Sequence, residues 1–218
     1  MEKARKKLVE YCRKMVLQKL TNGTSGNLSI IDREKNTVAI TPSGVDYLSI
    51  DENDIVIIDL DGNVIEGDKK VSSEYELHLA IYLKDKTVGS VVHTHSTFCT
   101  TFACLRQPLK AAHYLIASTN ASIVPCVEYH TYGTIELAKA VSEIETESKA
   151  LLLANHGMVA YAETIDQAFN IAENVEWCAE ILWRAQTIGK PITLSDNEIK
   201  KVIEKFNDYG QSDKKSGY

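Results

Sequence analysis

Val91-Val92-His93-Thr94-His95 places two histidines, one residue apart, at the end of an apolar run that begins at Val88. The run predicts a buried strand. Because alternate side chains of a strand point to the same face, we expect His93 and His95 to present two imidazoles side by side. Such a pair suits a shared metal ion. The alternative is a pair of solvated histidines at a strand end.

Two groups elsewhere in the chain are candidate ligands for the same ion. Glu74 stands in Ser72-Ser73-Glu74, and His156 stands in Asn155-His156-Gly157. Three neutral imidazoles and one carboxylate match the ligand preference of zinc, and manganese, cobalt and iron are tolerated substitutes. A glutamate that leaves the metal when substrate arrives also has the chemistry of a general base.

The order of the predicted elements mixes helices with strands. Helical periodicity covers residues 3–20 and is closed by Asn22-Gly23, and later helices are predicted near 73–81, 97–105, 134–144 and 164–188 and after 195. Strands are predicted at Leu28–Ile31, Val38–Thr41, Ile55–Leu60, Val64-Ile65, the run ending at His95, Leu151–Leu153 and Met158–Tyr161. This order favours a single α/β domain, with a largely antiparallel or mixed central β-sheet flanked by helices. We assign it residues 1–210 and interpret 211–218 as a polar C-terminal tail.

Composition and charge argue against several classes of protein. The formal charge of −6 argues against a general nucleic-acid binder. No run of 18 apolar residues occurs, and the first residues lack the apolar core of a signal peptide, so we expect a cytoplasmic protein with no membrane segment. The five cysteines are scattered and form no CxxC pair, which suits a reducing compartment.

Three turns rich in small polar residues are candidate anion sites: Asn22–Asn27, Thr41–Gly44 and Ser72–Glu74. Glycine lets main-chain N–H groups approach an anion, and hydroxyls at a helix start lie at the positive end of its dipole. Each turn also has a purely structural interpretation, as a helix end, a turn or a helix cap. Together, three such turns in a chain of negative net charge indicate one assembled phosphate pocket.

The order and spacing of five motifs are similar to those of a known family. The motifs are GTSGN at 23–27, TPSG at 41–44, SSE at 72–74, HTH at 93–95 and NHG at 155–157. With them, the chain resembles the class II aldolase/adducin-like superfamily, which includes fuculose-phosphate aldolases and ribulose-phosphate epimerases. The resemblance extends from the first helix to residues 205–210. It implies a three-layer α/β fold and a cyclic homotetramer with active sites between subunits.

The resemblance also implies roles for individual residues. The Zn²⁺ ligands would be Glu74, His93, His95 and His156. The substrate phosphate would be held by Gly26, Asn27, Ser43, Gly44, Ser72 and Ser73. Glu74 would also be the catalytic acid/base, Tyr114 matches a tyrosine that reaches the neighbouring subunit's site, and Tyr209 matches a C-terminal tyrosine that closes over the substrate. The family pattern does not use His78, which we interpret as structural.

The implied activity is reversible cleavage of a ketose 1-phosphate, such as L-fuculose 1-phosphate or a close deoxypentulose analogue. The products would be dihydroxyacetone phosphate and an aldehyde such as L-lactaldehyde. Ribulose-5-phosphate 4-epimerases resemble the chain but carry an aspartate at the position of Glu74, so the glutamate favours an aldolase. Methylthioribulose-1-phosphate dehydratases share the motifs and remain an alternative. Members that have lost the metal ligands serve in assemblies, a role that the filled ligand positions disfavour.

Overall fold

A computed structural model describes residues 1–207 of the chain. Its α-helices are α1 Glu2–Leu17, α2 Tyr75–Lys84, α3 Thr97–Cys104, α4 Ile135–Glu143, α5 Ile165–Ile188 and α6 Asp196–Asn207. Short 3₁₀ helices cover Glu52–Asp54 and Tyr114–Thr119. Every helix within residues 1–207 is too short or too polar to cross a lipid bilayer.

The strands form one large sheet and one small ribbon. They are β1 Asn27–Asp32, β2 Thr37–Ile40, β3 Val56–Asp59, β4 Val64–Glu66, β5 Ser90–Thr94, β6 Leu109–Lys110, β7 Ile123–Val124, β8 Cys126–Val127, β9 Ala150–Leu153 and β10 Gly157–Ala162. The large sheet has the order β4-β3-β2-β1-β5-β10-β9-β8, and β6 pairs with β7. Neighbours in the large sheet are antiparallel except β8 and β9, which are parallel.

Alternating side chains give the large sheet two apolar faces, and helices cover both. Val92 and Met158 lie in one core cluster with residues of α1, α3 and α5. Val91 and Val159 lie in the other, with residues of α2 and α4. This three-layer arrangement confirms the predicted α/β fold with a mostly antiparallel central sheet.

The first helix ends earlier than predicted. α1 stops at Leu17, and Lys19 adopts a left-handed conformation with φ 59°. The main-chain N–H of Leu20 then donates to the Met15 oxygen at 2.9 Å, which returns the buried Leu20 to the core. The predicted helix end at Asn22-Gly23 is therefore wrong, because tertiary burial of Leu20 closes the helix first.

The topology brings the predicted motifs to one edge of the sheet. β5 is central, and both of its neighbours run antiparallel to it, with Asn27 of β1 and Val159 of β10 opposite His93. The end of β5 therefore lies beside the starts of β1 and β10. The histidine pair, the Asn22–Asn27 turn and His156 meet there.

Candidate metal centre and substrate cleft

Four side chains converge where β5 ends. One ligand atom from each of Glu74, His93, His95 and His156 lies within 4.8 Å of all the others. The Nε2 atom of His93 lies 3.0 Å from that of His95 and 3.3 Å from Glu74 Oε2. The Nε2 atom of His156 lies 3.2 Å from Glu74 Oε1. The fold thus brings the four predicted ligands together.

A turn between β9 and β10 places His156 beside the histidine pair. Asn155 has φ 54°, a left-handed conformation that asparagine tolerates, and its side-chain oxygen accepts a hydrogen bond from Arg106 Nε at 2.9 Å. A Cβ atom on Gly157 would lie 2.4 Å from the Thr94 main-chain oxygen and 3.0 Å from the His95 ring. Only glycine lets β10 start this close to β5.

The turn before β1 approaches the same strand. Gly26 has φ 76°, and a Cβ atom there would lie 2.6 Å from the His93 main-chain oxygen. The buried Tyr47 hydroxyl donates to the Gly26 oxygen at 2.6 Å and fixes the position of the turn. Gly26 therefore has a packing role in addition to any contact with a ligand.

The hydrogen bond of His93 places a proton on its Nδ1 atom. Its Nδ1 atom lies 2.9 Å from the Met158 main-chain oxygen, and the side chain is fully buried. Because a carbonyl oxygen only accepts, Nδ1 must carry the proton. The Nε2 atom then faces the cluster and is the nitrogen left to bind a metal ion, which is the usual arrangement of a metal-ligating histidine.

The electrostatics of the cluster favour neutral forms of His95 and His156 and an ionised Glu74, which are the forms that bind a metal ion. Burial lowers the pKa of His95 to about 3 and that of His156 to about 4, so both imidazoles are neutral near pH 7. Burial acts to raise the pKa of Glu74, but His93, His156 and Asn27 hold it well below its ordinary value. Burial acts to lower the pKa of His93, but the attraction of the Glu74 carboxylate is stronger than this effect and raises the pKa. A negative charge surrounded by imidazoles attracts a cation.

The donor set fits a divalent cation. The Nε2 atoms of His93 and His95 face each other at 3.0 Å, so a proton or a metal ion must lie between the two nitrogens. Within residues 1–207, Glu74 Oε1 is a buried oxygen without a hydrogen-bond partner. Unsatisfied buried polar atoms are rare in native proteins. A bound cation would satisfy both features.

A cleft of about 440 Å³ opens beside the cluster. Glu74, His95 and His156 line it. It is also lined by the residues predicted to hold a phosphate: Gly26, Asn27, Ser43, Gly44, Ser72 and Ser73. No lysine or arginine is among the lining residues in the described part of the chain. An anion in this cleft would therefore be held by N–H and hydroxyl groups and by the N-terminus of α2.

One lining residue was not predicted from the sequence. Tyr132 lines the cleft and is 64% exposed. Gly133 follows it with φ 68°, and a Cβ atom there would lie 2.6 Å from the Ser73 main-chain oxygen. The Tyr132 loop therefore packs on the Ser72-Ser73 turn. A Tyr-Gly pair indicates a turn, but no local pattern connects this turn with residues 60 positions earlier.

Of the two predicted tyrosines, Tyr114 is described by the structure and does not line this cleft. Tyr114 begins the second 3₁₀ helix, is 47% exposed, and has its ring 4.6 Å from that of His113. Its role in a neighbouring subunit's site stays a prediction. Tyr209 and the tail at 211–218 lie outside the described residues.

Comparison with known proteins identifies the class. Residues 6–183 match the family described as Class II Aldolase and Adducin N-terminal domain, and the chain belongs to this family. It is an enzyme of the class II aldolases, metal-dependent aldehyde-lyases.

Individual relatives match over nearly their whole length. The chain is 44% identical over 211 residues to 5-deoxy-D-ribulose 1-phosphate aldolase of Bacillus thuringiensis serovar kurstaki, covering 97% of this chain and 99% of the relative. It is 39% identical over 205 residues to 5-methylthioribulose-1-phosphate/5-deoxyribulose-1-phosphate aldolase of Rhodospirillum rubrum, covering 94% and 91%. A solved structure named L-fuculose 1-phosphate aldolase aligns with TM-score 0.89 and 45% identity, covering 95% and 97%.

Proposed function

We propose that the chain is a zinc-dependent aldolase that reversibly cleaves a ketose 1-phosphate to dihydroxyacetone phosphate and a short aldehyde. The observation that carries this proposal is the cluster of three histidines and Glu74 in a cleft lined by small polar residues. The first candidate substrate is 5-deoxyribulose 1-phosphate, by analogy with the relative that is 44% identical. L-Fuculose 1-phosphate is the second, by analogy with the solved structure that is 45% identical.

The substrate phosphate is assigned to the part of the cleft that is lined by turns of small polar residues. Ser72 and Ser73 directly precede Glu74, the N-cap of α2, so their hydroxyls lie at the positive end of a helix dipole. Ser43 and Gly44 line the cleft as a second turn, and the Ser43 hydroxyl and the Gly44 N–H are its candidate donors, since the Ser43 N–H already donates to the Lys70 main-chain oxygen at 2.9 Å. Phosphate binding away from the reacting bond fixes the orientation of the sugar.

Glu74 is assigned the proton transfer at carbon. In cleavage the bond between C3 and C4 breaks, the C4 hydroxyl loses its proton to give the aldehyde, and C3 gains a proton. Glu74 delivers that proton to C3, and in the condensation direction it removes it. Its Oε2 atom is held by Asn27 Nδ2 at 2.9 Å, whereas Oε1 has no hydrogen-bond partner within residues 1–207. The carboxylate is thus anchored at one oxygen and available at the other.

The proposed metal is zinc, held by Glu74, His93, His95 and His156. Three imidazoles and a carboxylate are ligands that zinc prefers. When bound, the ion supplies Lewis-acid stabilisation of the negative charge that develops as the carbon–carbon bond breaks.

The proposed assembly is a homotetramer in the cytoplasm. In the described chain Tyr114 lies outside the cleft and is exposed beside His113, so a neighbouring subunit is needed if Tyr114 is to reach a site. Its proposed role is to supply and remove the proton of the aldehyde oxygen. The free state of the five cysteines supports a reducing compartment.

The test is a substrate panel with zinc-loaded protein. Ketose 1-phosphates derived from fuculose, ribulose, 5-deoxyribulose and methylthioribulose are assayed for release of dihydroxyacetone phosphate by a coupled reductase. The expected result is release from one or more of them, with the highest kcat/KM for a deoxypentulose phosphate. Loss of water from methylthioribulose 1-phosphate without aldehyde would favour a dehydratase. Absence of dihydroxyacetone phosphate from the whole panel would refute the aldolase assignment.

A further inference from the structure

A row of hydrogen-bonded polar side chains runs from the Glu74 carboxylate into the core between β1 and α2; we call it the hydrogen-bonded row. Asn27 Nδ2 donates to Glu74 Oε2 at 2.9 Å, and Asn27 Oδ1 lies 2.5 Å from His78 Nε2. His78 Nδ1 lies 2.6 Å from Ser29 Oγ, which lies 2.7 Å from the Tyr82 hydroxyl. His78, Ser29 and Tyr82 are fully buried. None of these three lines the cleft in the described part of the chain.

The donor and acceptor roles along the hydrogen-bonded row are determined by the Glu74 carboxylate at one end of it. The ionised Glu74 oxygen only accepts, so the Asn27 amide must present its NH₂ group to Glu74 and its oxygen to His78. His78 therefore carries its proton on Nε2 and accepts at Nδ1 from the Ser29 hydroxyl. Since Ser29 donates to His78, the Tyr82 hydroxyl donates to Ser29. In every hydrogen bond of the row, the donor lies on the side away from Glu74 and the acceptor on the side toward it.

We infer that His78 is a positioning residue for the catalytic carboxylate: its Nε2–H fixes the orientation of the Asn27 amide, which in turn holds Glu74 Oε2. With the opposite tautomer of His78, the amide would be free to flip, and it would then place an oxygen 2.9 Å from a carboxylate oxygen. That contact is repulsive and would displace Glu74. This inference rests on the proposed role of Glu74 and extends the mechanism to a residue that touches neither substrate nor metal ligand.

The hydrogen-bonded row supports Glu74 and does not relay protons. An amide does not accept and release a proton in the manner of an imidazole, so Asn27 interrupts any transfer between His78 and Glu74. Burial lowers the pKa of His78 to about 3, which keeps its imidazole neutral in the working pH range. His78 therefore acts through the geometry of Asn27 alone.

The test compares His78→Phe, which keeps a ring but has no nitrogen, with His78→Gln, whose amide N–H can donate to Asn27 Oδ1. His78→Phe is expected to lower kcat about 10–100-fold with KM little changed, and to weaken Zn²⁺ binding in a chelator competition by about 10-fold. His78→Gln is expected to recover most of both. Tyr161→Phe is the matched control, since its buried hydroxyl donates to the Ser148 oxygen at 2.9 Å on the same face of the sheet.

A spectroscopic measurement separates this inference from the proposed reaction. In ¹⁵N-histidine spectra of the zinc-loaded protein, the resonance lost in His78→Gln should show a protonated Nε2 and an unprotonated Nδ1. The opposite tautomer overturns the inference, and so does a folded His78→Phe variant with wild-type kcat and Zn²⁺ affinity. If His78→Phe does not fold, His78→Met replaces it, because it also removes the Nε2–H donor to Asn27 Oδ1, and unchanged kcat and Zn²⁺ affinity there also overturn the inference. If no ketose phosphate is cleaved by the wild type, the proposed function fails while the tautomer and Zn²⁺ affinity still decide the role of His78.

Discussion

The Nδ1 atom of His93 lies 2.9 Å from the main-chain oxygen of Met158, the residue that faces Thr94 across the β5–β10 pair. This hydrogen bond ties the ring of a candidate metal ligand to the neighbouring strand and leaves its Nε2 atom facing Glu74. The ring orientation is therefore set when the sheet forms. Because the acceptor is a main-chain oxygen, no side-chain substitution at Met158 removes this hydrogen bond.

Replacing Glu74 by glutamine should separate metal binding from proton transfer. The purified protein is expected to hold roughly one zinc or similar divalent ion per chain, since the four donors form one site. Glu74→Gln keeps the three imidazoles and removes the proton-transfer group, so we expect retained metal and a fall in kcat of about 10²–10⁴-fold. Metal analysis and release of dihydroxyacetone phosphate measure the two effects.

Two results would contradict this assignment. Normal turnover by Glu74→Gln would require another base. A protein without bound metal whose activity survives a chelator would refute the metal site itself.

Adding a methyl group at Gly157 should disrupt the centre without changing a ligand. The Cβ atom of Gly157→Ala would lie 2.4 Å from the Thr94 oxygen, so β5 and β10 must separate and His156 must move with them. A displacement of about 1 Å in a catalytic group costs on the order of 100-fold in rate, and we expect a fall of this size in kcat together with weaker zinc binding.

Gly189→Ala is the matched control for that variant. Gly189 has φ 174°, which any residue adopts, and nothing lies within 4 Å of the added Cβ. The unfolding free energy of the Gly189→Ala protein should stay within about 0.5 kcal/mol of the wild-type value. Equal zinc affinity in the two alanine variants would show that close strand approach is not what assembles the site.

Much of this fold could be predicted because its strands carry local patterns. The alternation at Val91 and Val92 assigns them to opposite faces, and the structure places them in different core clusters. The two-residue strands β6, β7 and β8 have no such pattern, because two residues do not define a period. They form through pairings such as Cys126 with Leu152 that no local sequence feature specifies.

The candidate site was predicted to the extent that its residues lie in compact motifs. His93 and His95 share a face by strand geometry, whereas the structural interpretation of His78 overlooked its chain of contacts to Glu74. Asn27 and His78 are 51 residues apart and meet only because β1 packs on α2. Such contacts depend on tertiary packing, which a single sequence does not display.

The helix that follows the histidine pair is held by a carboxylate from another helix. Glu176 of α5 accepts from the main-chain N–H groups of Phe98 at 2.9 Å and Cys99 at 2.8 Å, in the first turn of α3. Glu176→Ala leaves both donors unpaired, so we expect the unfolding free energy to fall by about 1.5–3 kcal/mol. Urea unfolding measures the change.

Glu180→Ala, one turn further along α5, is the comparison for Glu176→Ala. Glu180 bonds to Arg184 on the same helix, an arrangement that contributes about 0.3–0.5 kcal/mol. Similar losses in the two variants would mean that Glu176 does not cap α3.

Mixing two inactive variants should test whether active sites are shared between subunits. Tyr114→Phe and Glu74→Gln should each be nearly inactive alone. In a cyclic tetramer formed by co-expression of both chains, roughly a quarter of the sites combine an intact Glu74 with an intact Tyr114 from the neighbour. Recovery of activity toward that fraction supports a shared site, and a mixture no more active than its components contradicts it.

An ion pair remote from the cleft should give part of the acid sensitivity of folding. Lys149 Nζ donates to Asp85 at 2.7 Å, and the hydroxyl and N–H of Thr87 donate to the same carboxylate. Burial acts to raise the pKa of Asp85, but these bonds lower it to about 2. The unfolded value is about 3.9, so the stabilisation is complete above about pH 5 and is lost as the pH falls toward 2.

The stability of Asp85→Asn should therefore depend on pH differently from that of the wild type. Because the pair is partly exposed, we expect the variant to be about 1 kcal/mol less stable than wild type near pH 7. This difference should shrink toward zero between about pH 4 and pH 2, where wild-type Asp85 becomes protonated as well. Asp61→Asn, in the exposed turn between β3 and β4, controls for loss of a surface carboxylate. Urea unfolding at each pH measures the difference, and a constant difference across the range would mean that the Asp85 charge does not stabilise the fold.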